Sequence, residues 1–149
     1  MKSRHKAREV ALQILYQYDL GLQQIGQPIP VGNVLSQNLK HHFEHFSVPD
    51  ALQFFVGQLV TGTLTQLAIL DPIIEKNAVN WKVSRMSSVD RCLLRMATYE
   101  MLYLDQNVSR TIVIDEAIEL AKHFGTSDTP SFINGILDSI KDHTLIPSV

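Results

Sequence analysis

The chain has 149 residues, a formal net charge of −2 and a single cysteine. That length suits one domain with a sizeable core, or two small halves sharing one. The composition excludes an intramolecular disulfide, and no charge-free run is long enough to span a bilayer. Glu9, Gln13, Gln17 and Asp19 interrupt any apolar core that a signal peptide needs. The lone Cys92 suits a reducing cytoplasm, and its apolar neighbours read as packing for an inert thiol.

Residues 3–22 read as a first helix, with Ala7, Ala11, Ile14, Leu15, Tyr18 and Leu22 on one face. Lys2, Arg4, His5, Lys6 and Arg8 precede the first acid, Glu9. Cations there oppose the helix dipole. The mismatch predicts a segment kept for an anionic partner, and frayed until that partner arrives. Gly21, Gly26, Pro28, Pro30 and Gly32 break the pattern. Asn33 is expected to cap a second helix through Phe46, and Pro49 to open a third over residues 49–69. Asp71-Pro72 reads as a cap and first position of a short fourth helix. The stretch Asn77–Met86, with Trp81, is expected to join two halves, residues 1–80 and 81–149, and Trp81 to pack in the core or at that junction.

The remaining chain is organised around residues 87–104. Val89, Cys92, Leu93, Leu94, Met96, Ala97, Tyr99, Met101, Leu102 and Leu104 are too many apolar residues for a single stripe. Such a helix must be covered on several sides. Ser87 and Asp90 have capping-box spacing. Asp90, Arg91, Arg95 and Glu100 need water or partners. A turn is expected at Asp105–Asn107, then a helix over 110–124 ended by Gly125 in the left-handed conformation. A last helix follows Asp128 or Thr129, with Pro130 in its first turn, and Pro147 falls in a short tail. Gly135 inside that helix costs about 1 kcal/mol relative to alanine. Close helix packing explains it, or close approach of a ligand. No strand pattern appears, and the fold class is all-α.

Enzyme motifs are absent: no Gly-rich phosphate loop, no H-E-x-x-H, no nucleophile elbow. His41, His42 and His45 lack a completing ligand and read as a solvated face, with no metal expected. Asp115, Glu116 and Glu119 fall where the helix dipole favours anions. A second cationic set comprises Lys76, Lys82, Arg85, Arg91 and Arg95. Lysine and arginine clusters neutralise phosphates and release counterions, so both basic sets point to nucleic acid despite the net charge.

The order of residues carries more. K-x-R-H-K-A-R-E-x-A-L-Q-x-L-Y near the start, N-W-K-x-x-R then V-D-R-x-L-L-R-M-A-x-Y-E-M in the middle, and I-D-E-A-I-E-L-A-K-x-F-G before F-I-N-G-I-L-D resemble the NusB family over essentially the whole chain. The resemblance implies an all-α fold of two three-helix halves and a non-enzymatic role without cofactor in the cytoplasm. It implies binding of single-stranded boxA RNA together with NusE, a small-subunit ribosomal protein, and entry into the RNA polymerase antitermination complex. By position, it places RNA contacts on Lys2, Arg4, His5, Lys6, Arg8, Lys76, Lys122 and Phe132, with Asp128 bordering them. It places NusE contacts on Tyr16 and Asp90. The basic segment is more dilute than the family's, and Asn77 stands where some relatives offer an aromatic. Two other readings compete: an RNA-binding accessory domain of a ribosomal RNA methyltransferase, and a scaffold that only self-associates as a homodimer.

Overall fold

The computed structural model describes residues 2–104 and 107–144, the side chains of Lys2 and Ser3 excepted. Most of the expected Asp105–Asn107 turn and the Pro147 tail lie outside them. Seven α-helices and one short 3-10 turn make up the described chain: α1 Lys2–Ile25, α2 Gly32–His45, α3 Asp50–Thr65, α4 Leu67–Asn77, α5 Ser88–Tyr103, α6 Arg110–Phe124 and α7 Thr129–His143, with the turn at Val83–Arg85. No strand occurs among the described residues. The all-α class is the observed one. Two compact units form, residues 1–65 and 66–149. The division falls after Thr65, not near residue 80, so Asn77–Met86 lies wholly in the second unit.

In the first unit α1 packs on α3 and α2 leans on α3. Ala7, Val10, Ala11, Ile14 and Leu15 of α1 are buried, as are Val56, Leu59, Val60 and Leu64 of α3. The spacing is that of one helical face on each. Val31, not Asn33, holds the N-cap position of α2, and it makes no side-chain cap bond. A left-handed Gly32, φ 58°, turns the chain into the helix instead.

The histidine-bearing face of α2 is not wholly solvated. The Tyr18 hydroxyl on α1 meets His42 Nε2 at 2.7 Å, with the rings edge to face at 5.3 Å. Burial holds the His42 pKa below 6.5, helped by repulsion from His45 and His41. Burial also raises the Tyr18 hydroxyl, a bond to Asn38 opposing it. The lowered pKa favours the neutral imidazole in this bond with Tyr18. The folded state binds fewer protons here than the unfolded state, so this contact's stability is present above pH 6.5 and is lost as pH falls through the lowered folded value. His42→Gln should flatten the pH dependence of the urea midpoint between pH 7 and about pH 5. A variant with the wild-type profile would show that another group sets it.

The second unit is built on α5, which touches α4, α6 and α7. Ten of its residues are buried, Cys92, Leu93, Leu94, Met96 and Met101 among them. Ser87 caps it by accepting from the Asp90 N–H at 3.2 Å. Arg91 and Arg95 find internal partners. Arg91 Nη1 donates to the carbonyls of Val83 at 2.8 Å and Met86 at 2.9 Å. Arg95 forms a fork with both oxygens of Asp71, each at 2.8 Å.

That fork explains one correction. Asp71 does not cap a helix; it is turned to Arg95, and Pro72 lies inside α4, which begins at Leu67. Pro72 is exposed. A second correction concerns Gly125. Its backbone is extended, φ −98° and ψ −170°, not left-handed. A Cβ there would stand 2.6 Å from both Cβ and Oγ1 of Thr129. Glycine is required by that close approach, which also lets Thr129 Oγ1 accept from the Thr126 N–H at 3.1 Å. Asp128 precedes α7 without a side-chain cap bond.

Candidate nucleic-acid interface

In the first unit the basic segment is helical from Lys2, so the expectation of a frayed start is not met. The reason lies in α3. The guanidinium of Arg4 sits 4.4 Å above the Phe55 ring centre, and that of Arg8, one turn on, lies 5.5 Å from it. Cation–π packing supplies what the helix dipole withholds. Arg8 is only 4% exposed, so a phosphate must displace protein to reach it. Lys6 points outward with an ion pair to Glu9 at 3.5 Å. His5 and Arg4 are half-buried. The outward cationic surface described here is therefore Lys6 with the exposed parts of Arg4 and His5. Tyr16 is half-buried on the same helix.

In the second unit the cationic set divides. Arg91 and Arg95 serve the interior, while Lys76, Lys82 and Arg85 are exposed. From residue 76 to residue 89 the chain has these three cations and no acid. Lys122 is exposed and shares an ion pair with Glu119 at 3.4 Å, a surface pair of small worth. Asp128 is exposed. Asp90 is partly buried, and its Oδ1 has no hydrogen-bond partner among the described residues.

Phe132 lies on the flank of α7, beside the buried Ile133 and Ile136. It is partly exposed and meets Trp81 edge to face, ring centres 5.4 Å apart. Trp81 is 48% exposed, so the expectation that it packs in a junction is overturned. The sequence signal lies in N-W-K: a tryptophan between two polar residues, two positions before the buried Val83. Gly135, one turn on from Phe132, faces open space, and a Cβ there would meet nothing within 4 Å. Close helix packing is thus not its reason. Further along, Ser139 Oγ donates to Asn77 Oδ1 at 2.6 Å.

Among the described residues no group of three or more histidines, cysteines or acids converges as a metal site. No single helix among them is long and apolar enough to cross a membrane.

Comparison with known proteins adds the following. The NusB family model matches residues 5–142. A transcription antitermination protein NusB of Elusimicrobium minutum is 46% identical over 142 residues, covering 95% of this chain and 94% of its own. One from Desulfotalea psychrophila is 39% identical, covering 95% and 96%. Among solved structures, NusB of T. maritima superposes with a TM-score of 0.80 at 29% identity, covering 97% of this chain and 93% of that one. A structure of antitermination factors NusB and NusE in complex with dsRNA superposes at 0.78 with 24% identity, which speaks to the fold, and covers 95% and 98%.

Proposed function

This chain belongs to the NusB family, and from that premise we propose that it is a transcription antitermination factor acting by binding, not by catalysis. It takes single-stranded boxA-like RNA together with the ribosomal protein NusE and carries both to the RNA polymerase elongation complex in the cytoplasm, notably on ribosomal RNA operons. The observation that carries this reading is the match to full-length relatives of that name along nearly the whole chain. Because those relatives are covered almost end to end, the accessory-domain reading of a methyltransferase has less support.

Each unit contributes a surface. On the first, Lys2, Arg4, His5 and Lys6 meet phosphates, with Arg8 backing Arg4 through the shared Phe55 contact. On the second, Phe132 offers a ring to a base, and Lys76 and Lys122 supply charge. Tyr16 and Asp90 are assigned to NusE.

Phosphate contacts position an RNA without reading it, whereas stacked bases contribute affinity largely independent of salt. Three or four displaced counterions give log K against log[salt] a slope of about −2 to −3, at roughly −0.7 per single-strand contact. Arg4→Ala with Lys6→Ala should flatten it by about 1.4 and weaken boxA-like and scrambled strands alike. Titration of labelled strands at several salt concentrations reads both. A double variant with the wild-type slope would remove the first unit's surface from the site.

A further inference from the structure

We propose that Trp81 and Phe132 together form a nucleobase-stacking subsite, with Trp81 a second, independent base-contacting ring. The inference rests on the RNA-binding reading above and deepens it, naming where in the second unit a base is held.

The geometry begins in the turn after α4. Asn80 adopts the left-handed conformation, φ 66°, and the Trp81 N–H bonds to the Ala78 carbonyl at 3.1 Å. This throws Val79 outward, 81% exposed, and leaves Trp81 48% exposed. An indole half in water is unusual for a ring with so much apolar surface to bury. Nor is it loosely held. Just beyond it, the Val83 N–H donates to Glu75 Oε2 at 2.8 Å and the Val83 carbonyl accepts from Arg91 at 2.8 Å. Phe132 braces the indole at 74° between ring planes. The platform is therefore fixed before any ligand arrives, which removes an ordering cost from binding.

Two features select a nucleobase over an apolar protein segment. The residues beside Trp81 in the chain carry Lys76, Lys82 and Arg85, all exposed, and the acid nearest to it in the chain, Glu75, is occupied by the Val83 N–H, which leaves Asp128, one turn before Phe132, as the exposed acid on the α7 side. Gly135 leaves the α7 flank next to Phe132 bare, so a flat group reaches the ring without meeting a Cβ. Aromatic platforms in cationic surroundings suit single strands, because every base has a π-face and the charges hold the backbone.

Trp81 is the only tryptophan, so its emission reports on this subsite alone. The test uses the full chain with an oligoadenylate of about ten nucleotides, within the usual range of single-strand sites. An abasic strand of equal length serves as the control. The oligoadenylate should quench Trp81 emission in step with the anisotropy of the labelled strand, and the abasic strand should leave emission unchanged. Trp81→Ala should weaken binding about 5- to 100-fold with the salt slope preserved, and Trp81→Phe should recover most of the loss. Strand binding with unchanged emission, and with wild-type affinity in Trp81→Ala, would overturn the subsite while leaving the RNA reading intact. Absence of oligoadenylate binding to the wild-type chain would overturn the subsite as a sequence-tolerant stacking platform, while the RNA reading stands or falls with the boxA-like strand. An emission change produced by NusE and not by RNA would assign the platform to a protein partner and sink the proposal.

Discussion

Met96→Asp should cost the second unit about 4 kcal/mol or more of its stability. Met96 is 2% exposed on α5, the helix that α4, α6 and α7 all touch. Truncating a buried methionine costs about 2–5 kcal/mol by itself. The aspartate adds a carboxylate with no cation placed to meet it, a further penalty whether it stays charged or takes up a proton. Since domains are stable by only about 5–15 kcal/mol, the sum consumes most of the margin. Urea unfolding followed by circular dichroism measures it. A wild-type midpoint would mean that α5 is not the unit's centre.

Arg91→Met should be the next most damaging change, at about 2–5 kcal/mol. The substitution keeps a long side chain and removes the guanidinium. Arg91 is 3% exposed, and its Nη1 joins the Val83 and Met86 carbonyls. Without it the Met86 carbonyl loses its charged donor, and the segment from Val83 to Met86 loses its anchor to α5. The damage should reach the surface, because that segment follows Trp81 directly. Trp81 emission should shift to the red below the unfolding midpoint, ahead of any loss of helix. Unfolding without that early shift would mean that the segment is held by other contacts.

The all-α class and the centrality of α5 could be read from the sequence because hydrophobic periodicity is a local property. So could the Ser87 cap, which depends on residues three apart. What escaped depends on which side chains and turns meet in the fold, near or far along the chain. Asp71-Pro72 carries a start signal, but Asp71 is committed to Arg95, twenty-four positions away. Gly125 reads as a left-handed terminator, yet Thr129 crowds it into being glycine. Arg4, Lys6 and Arg8 look alike in the sequence. Only the presence of Phe55 on α3 separates the buried Arg8 from the outward Lys6, and turns a segment expected to fray into a helix. The same holds for the second cationic set, where Arg91 and Arg95 are structural and Lys76, Lys82 and Arg85 remain at the surface. Tryptophan is usually packed, which points Trp81 inward; its half-exposed position follows from the Asn80 turn.

The most direct test of RNA binding shared with NusE is a titration of this protein with a boxA-like strand and its scrambled counterpart, with and without NusE. NusE should tighten boxA-like binding by tenfold or more, about 1.4 kcal/mol of coupling, and RNA should tighten NusE binding by the same factor. The scrambled strand should gain less. Equal affinity for both strands, unchanged by NusE, would contradict the account.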